Sequence, residues 1–524
     1  MEELLLIVGL VATVVATTAL ARRLGVLSPI MLLVVGIVVS FVPGVLDIKL
    51  APEMVLVGIL PPLLYVAAVE TSVPDFLRNL RPILMLAVGH ALFIAAAVGL
   101  TLHWIVPDVP LAAAFALGAI VAPPDAVAAT SLASRIGLPR QTVTILEGES
   151  LVNDATALVT LRVAVAAATG QALSGWDITR TATIAVVGGL AVGFVGAVLI
   201  SFLHRRITNA LLDNSLSLLT PFLVFIPAEE IHASGVVAVV VCGLVVGHRW
   251  PTLMSAASRL QMEAFWRMVR FLLEGAVFLL VGLQLRLIIE NLNTPIEVVV
   301  EATAGVVAVV IVGRFVWVYV GTYLSRMLPR VRHRSPRPSV AVMAVLSWAG
   351  MRGVVTLAAA LSLPALMSAD GVDNSPLLTW LAFAVIVVTL LLQGLTLPAL
   401  ARRLKLPRDD PRADALAEAG VQHEAGKAAL DRLYALAESA PVHVIERLRG
   451  VVDYRTNVAW ERLGNSDGET PSQAYSRLRR QMLDAEREVF RIARDQGRVP
   501  EAVLRAAQRD MDLEESLLER RHDE

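Results

Sequence analysis

The sequence predicts an all-α polytopic membrane protein followed by a cytoplasmic helical tail, and three observations carry that expectation. Of its 524 residues, 56% are hydrophobic and 17% charged, and the mean hydropathy of +0.67 lies well outside the range of a soluble enzyme. The charges are segregated, sparse before residue 402 and dense after it. Apolar runs recur at about 20 residues, the length that crosses a bilayer. The net charge of −1 says nothing about nucleic acid or acidic partners, because the charges are segregated; no nucleic-acid partner is expected, and the single cysteine, Cys242, permits no disulfide within the chain.

Scanned at that length, the chain yields thirteen candidate spans, near 3–20, 28–45, 54–70, 82–106, 111–134, 142–169, 180–204, 215–230, 234–248, 268–290, 298–325, 338–363 and 376–401. The first begins Met1-Glu-Glu, without the basic region of a cleaved signal, and reads as a retained span. The eighth and ninth are short and flank Pro227-Ala-Glu-Glu230. Segment 250–267 is too polar to cross and reads as a cytoplasmic, partly amphipathic connector. Alternate loops carry the arginines: Arg22 and Arg23, Arg78 and Arg81, Arg135 and Arg140, Arg205 and Arg206, Arg249 to Arg267, Arg326 to Arg337, and Arg402 to Arg408. Lys49, Arg180 and Arg286 are nearly all that the opposite loops hold. Basic loops stay in the cytoplasm, so the N-terminus is expected outside, the C-terminus inside, and the span count odd. The expected division is a transmembrane domain over 1–402 and a cytoplasmic tail over 403–524.

Two spans are interrupted. The fifth is broken at Ala122-Pro123-Pro124-Asp125, where two prolines remove two backbone donors and Asp125 stands ready to cap the half-helix that follows. The twelfth is broken at Ser347-Trp-Ala-Gly350-Met-Arg352-Gly353. With the seventh span as a linker between two inverted six-helix repeats, these breaks occupy corresponding positions. Paired discontinuous helices of this kind mark a substrate site near the bilayer midplane of a secondary transporter.

The sixth span carries Leu146-Glu-Gly-Glu-Ser-Leu-Val-Asn-Asp-Ala155. An ionised group at bilayer depth costs about 3 kcal/mol on insertion scales, so acids there point to an ion or proton pathway. At 3.6 residues per turn Glu147, Ser150 and Asp154 share one face, and Glu149 and Asn153 share the adjacent one. A helix entering near residue 142 puts Asp154 about 18 Å along it, near the middle of a core about 30 Å thick. Asp154 and Asp125 are then the two deepest acids. Glu149 can be neutralised by Arg314 in the eleventh span or by Arg352 in the twelfth, a structural pairing rather than a transport role. Burial and polar neighbours act in opposite directions on the acidity of Asp154, leaving a carboxylate that holds either a proton or a small cation. Competition for one site, combined with alternating access, is an exchange mechanism. Asp154, Asp125, Ser150, the Asn153 carbonyl and the freed carbonyls near Val121 and Ala122 are the oxygen ligands available to an alkali cation. Glu274, at the start of the tenth span, reads as a packing or ion-pairing residue, and Arg162 as a local counter-charge to Asp154. His90 and His103 read as hydrogen-bonded helix histidines, and Glu70 as solvated.

With these residues in place, the sequence resembles the bacterial sodium/proton exchanger family, the electroneutral branch of the monovalent cation/proton antiporters. The carrying motifs are Glu-Ser-Leu-Val-Asn-Asp at 149–154, Pro-Asp at 124–125, Phe-Leu-Leu-Glu at 271–274, Gly-Arg-Phe at 313–315 and Gly-Met-Arg-Gly at 350–353, and the resemblance covers roughly residues 1–402. The resemblance implies a homodimer in the cell membrane, with a dimerisation subdomain and a mobile core. It implies a Na+ site at Asp154 and Asp125 with Ser150 and Asn153 contributing, a Glu149–Arg314 pair, and Arg352 and Glu274 as supporting residues. Exchange of one Na+ for one proton, in the service of pH homeostasis and with no cofactor, is the implied activity; Li+ or K+ in place of Na+ is the alternative. The sequence departs from the family at two points: Pro124 and Ala126 flank Asp125 where relatives have Thr-Asp-Pro, and Val66 stands where relatives often carry an acid.

Two other classes compete. A cation channel requires a repeated filter loop and an intramembrane aspartyl protease a Gly-Asp motif, and the sequence has neither. The tail is charged and helix-prone, interrupted at 407–411 and 464–471, and open to a regulatory, dimer-contacting or merely solvated role.

Overall fold

The computed structural model describes residues 2–42, 51–125, 138–170, 174–327, 339–366, 371–406, 410–437, 440–461, 463, 469–496, 498 and 500–523. Among them the chain is helical throughout, with no β-strand. It forms two compact units, Met1–Arg408 and Asp409–Glu524.

The first unit contains α1 (Glu2–Leu24), α2 (Ser28–Ser40), α3 (Met54–Glu70), α4 (Val73–Arg78), α5 (Leu80–Ile105), α6 (Leu111–Val121), α7 (Arg140–Ala168), α8 (Gly175–Arg206), α9 (Ala210–Glu230), α10 (Gly235–Leu253), α11 (Ala256–Glu290), α12 (Ile296–Ser325), α13 (Val340–Trp348), α14 (Val354–Leu361) and α15 (Ser375–Leu404). Among the described residues nine helices are long and apolar enough to cross a membrane, while α2, α3 and α6 are shorter apolar helices. The twelfth predicted span is present as two half-helices, α13 and α14, separated by the backbone of Ala349–Gly353.

Lipid gives helices no hydrophobic reason to associate, so close packing through small residues has to serve. Gly36 on α2 and Gly282 on α11 meet so closely that a Cβ on either would strike the other helix's backbone. Gly118 of α6 lies in the same way against the backbone of Ala95 on α5.

Two expectations about elements change. Segment 250–267 is no separate connector: from Ala256 it is the first part of α11, and the Ser255 hydroxyl accepts from Ser258 N at 3.1 Å to start that helix. Its polarity follows from a narrow buried stripe of Ser258, Met262 and Trp266, with Glu263 and Arg267 turned outward. The indole of Trp266 donates to Ser217 Oγ at 3.0 Å and fixes the stripe to α9. The eighth span is likewise longer than its apolar run, because Asn209 caps α9 through Leu211 N at 2.8 Å and the helix continues through Pro221 and Pro227.

The second unit contains α16 (Pro411–Ala435), α17 (Val442–Glu461), α18 (Pro471–Asp495) and α19 (Glu501–Asp523). Leu483, Met511 and Leu518 form the small core between α18 and α19, reinforced by Arg479–Glu514 at 2.6 Å and Arg487–Asp512 at 2.7 Å.

Candidate ion-binding site

The site is built where the unwound backbone after α6 meets the break between α13 and α14. The backbone N–H of Asp125 donates to the carbonyl of Met351 at 2.7 Å, joining the break after α6 to the break between α13 and α14. Gly353 packs directly on the Asp125 carboxyl, so closely that a Cβ there would overlap it. The half-helix predicted to start after Asp125 lies outside the described residues.

Arg352 explains how the first break survives at membrane depth. Its side chain is fully buried, with Nε donating to Val121 O at 2.9 Å, Nη2 to Ala122 O at 3.3 Å and Nη1 to Gly350 O. A half-helix that ends inside protein leaves carbonyls without partners and a partial negative charge, and a guanidinium answers both. The carbonyls that sequence offered as cation ligands therefore already accept hydrogen bonds from Arg352. The Arg352 backbone N–H donates to Thr389 Oγ1 at 3.1 Å, anchoring the junction to α15.

Helix α7 sorts its acids by face. Glu147, Ser150 and Asp154 line a cavity of about 450 Å³, together with Pro123, Pro124, Asp125 and Gly353 from the breaks and Thr356 from α14. Glu149 is absent from that wall and forms a bidentate pair with Arg314, at 2.6 Å and 2.8 Å, with neither side chain reaching solvent. The Arg314 Nε also donates to Leu346 O at 3.2 Å, so the pair ties α7, α12 and α13 together. Asn153 is buried and donates through Nδ2 to Pro124 O at 3.1 Å, while its Oδ1 has no partner among the described residues. It thus braces the break from behind rather than lining the cavity.

Asp154 is only 7% exposed and has neither a hydrogen bond nor an ion pair among the described residues. Arg162 pairs instead with Glu229 of α9, whose other oxygen accepts from Gly235 N at 2.9 Å, so the expected counter-charge to Asp154 is engaged elsewhere. Another part of the cavity wall carries Glu70, Arg270 and Glu274. Arg270 contacts Glu70 at 2.6 Å and Glu274 at 3.3 Å, linking α3 to α11, so Glu70 is exposed, as sequence suggested, and ion-paired as well.

The histidines divide. His103 Nδ1 lies 2.8 Å from Val109 O, as a hydrogen-bonded helix histidine should. His90 is buried with neither ring nitrogen partnered among the described residues, contrary to that expectation. Sequence reasoning missed Thr356 altogether, and it placed Gly353 in the break without foreseeing its contact with Asp125. The available signal was a hydroxyl one turn past the Gly350-Met-Arg-Gly break, inside an otherwise apolar run.

The sodium/hydrogen exchanger, transmembrane, family profile matches residues 9–403. The chain belongs to the sodium/hydrogen exchanger family. Membership makes it a multi-pass membrane protein and a cation/proton antiporter, a transporter rather than an enzyme. An uncharacterised Na+/H+ exchanger of Mycobacterium tuberculosis is 35% identical over 525 residues, covering 98% of this chain and 95% of the relative. A sodium, potassium, lithium and rubidium/H+ antiporter of Bacillus pumilus is 31% identical, covering 76% of this chain and 62% of the relative. The solved sodium proton antiporter MjNhaP1 of Methanocaldococcus jannaschii shares the fold, with a TM-score of 0.61 at 17% identity over 77% of this exchanger and 99% of that one.

Proposed function

We propose that this exchanger moves one Na+ against one proton, electroneutrally and by alternating access, with cation and proton competing for Asp154. The observation that carries the reading is a buried carboxylate on a cavity wall with no cationic partner among the described residues. An ionised carboxylate in that position requires compensation, and a proton or a bare alkali cation supplies it equally. Asp125 shares the cavity and adds oxygen ligands; Ser150, on the same face of α7, adds a hydroxyl. Asn153, Glu149, Arg314 and Arg352 act behind the site, holding the two breaks in register.

Because one carboxylate charge is cancelled alternately by H+ and by Na+, a cycle transfers no net charge. The pH and sodium gradients drive it, and membrane potential does not. The name of the Bacillus pumilus relative supports a wider cation range, so Li+ and K+ belong among the substrates to be tested. An N-terminus outside and a tail in the cytoplasm are part of the same proposal, supported by the alternation of basic loops, and a homodimer is added on the family resemblance alone.

The test is proton movement in proteoliposomes loaded with a pH dye. Cation-dependent flux whose rate is unchanged by an imposed voltage supports the proposal. Flux that follows voltage contradicts electroneutrality, and no flux with Na+, Li+ or K+ overturns the transport reading itself.

A further inference from the structure

Thr356 lies in the first turn of α14 and is 1% exposed, yet it lines the same cavity as Asp125, Asp154 and Ser150. Several threonines elsewhere in the spans return their hydroxyl to the carbonyl four residues back, among them Thr156 to Val152, Thr160 to Thr156, Thr220 to Leu216 and Thr389 to Val385, although Thr18 in α1 does not. For Thr356 the residue four back is Arg352, which belongs to the non-helical break rather than to a helix. That back-bond is not made, and the Thr356 hydroxyl has no hydrogen-bond partner among the described residues. The hydroxyl instead stands on the cavity wall, where a water or a bound cation can take the place of the missing back-bond.

We infer that Thr356 is a cation ligand and a specificity-determining residue of the exchange site. Hard alkali cations are held by oxygen: carboxylate, hydroxyl, carbonyl and water. The cavity already offers the Asp125 and Asp154 carboxylates and the Ser150 hydroxyl from α7. Thr356 adds a neutral oxygen from α14, the half-helix beyond the second break. The two competitors use it unequally. A desolvated Na+ gains a ligand from this hydroxyl, whereas a proton on Asp154 is covalently held by one oxygen and needs no such shell. The hydroxyl therefore biases the competition towards the cation and, by its fixed place, towards cations of one size. The inference rests on the proposed role of Asp154 and names one more participant at that site.

The test is proteoliposome exchange measured over a range of Na+, Li+ and K+ concentrations for the wild type, Thr356→Val, Thr356→Ala and Thr356→Ser. Thr356→Val keeps shape and loses the oxygen. It is expected to raise the apparent KM for Na+ about tenfold, the worth of roughly one lost hydrogen-bond-strength contact, with the maximal rate retained. The ratio of KM values between Na+ and K+ is expected to change as well. Thr356→Ser keeps the oxygen and is expected to stay within about twofold of wild type on the same scale. Wild-type KM values and cation preference in Thr356→Val would overturn the inference. Should the valine variant fail to fold, the Thr356→Ala and Thr356→Ser pair decides: equal KM values in the two overturn it, and a raised value in alanine alone supports it. Absence of any exchange by the wild type would instead sink the underlying transport reading.

Discussion

The Asp125 N–H donates to the Met351 carbonyl at 2.7 Å, so the unwound backbone of one span is partnered by the unwound backbone of the other. Each break satisfies a polar group that the other exposes, which is how two interruptions persist where water is scarce. The same junction leaves no room beside Gly353, whose Cα faces the Asp125 carboxyl. Its backbone lies at φ −126°, open to any residue, so the obstacle to a side chain is steric alone. Gly353→Ala is expected to displace the Asp125 carboxyl and abolish most exchange, while shifting the thermal midpoint in detergent by only a few degrees. Flux and melting measured on the same preparation check both halves.

The Glu149–Arg314 pair predicts a stability effect. Removing one partner of a buried pair leaves an uncompensated charge and costs about 3–5 kcal/mol. Glu149→Met is expected to lower the unfolding midpoint strongly, and Arg314→Met to do the same. The double variant Glu149→Met with Arg314→Met is expected to recover much of the loss, because neither charge remains. A double variant as damaged as the sum of the two singles contradicts a mutual pairing.

Arg352 predicts a different pattern, because its side-chain partners are backbone carbonyls. Arg352→Gln leaves Val121 O and Ala122 O short of donors, at about 1–3 kcal/mol for each group left unsatisfied. Arg352→Lys is expected to rescue only partly, since an ammonium on a flexible stem cannot reproduce the guanidinium fork across two carbonyls. Thermal midpoints ordered arginine, lysine, glutamine support this assignment, and a lysine variant equal to wild type contradicts it.

In the tail, pH acts through α18 and α19. Hydrogen bonds from Arg479 hold the Glu514 carboxyl below its ordinary value. A folded-state pKa lowered in this way contributes stability above the unfolded value, about 4.3 for glutamate, and that contribution is lost as pH falls through the folded value. Glu514 is 40% exposed, so solvent screening keeps the effect modest. Hydrogen-exchange protection of α18 and α19, corrected for intrinsic rates, is expected to hold above that range and to decline below it. Glu514→Gln should remove part of the decline.

Hydrophobic length and period carried most of the fold, because a span must be long, apolar and internally hydrogen-bonded. Proline and glycine marked the two breaks for the same reason, and helical spacing separated Glu147, Ser150 and Asp154 from Glu149 and Asn153. The polar start of α11 was misread because its buried stripe is only one residue wide per turn and ends on Ser217, a partner distant in sequence. The partners of Arg352 were illegible because they are backbone carbonyls, which carry no residue-type signal. Arg162 was assigned to the nearest acid along its own helix, whereas the fold brings Glu229 to it from α9. Thr356 was passed over because a threonine in an apolar run ordinarily bonds its own helix, and only the unwound turn before it withholds that bond.

The central claim is that cation and proton share Asp154. Na+-dependent proton flux in proteoliposomes carrying matched amounts of folded wild type and Asp154→Asn tests it most directly. The amide can neither release a proton nor carry the charge that holds a cation, so flux is expected to fall to the level of empty liposomes with folding intact. Asp154→Asn exchanging Na+ for protons at the wild-type rate would contradict the account.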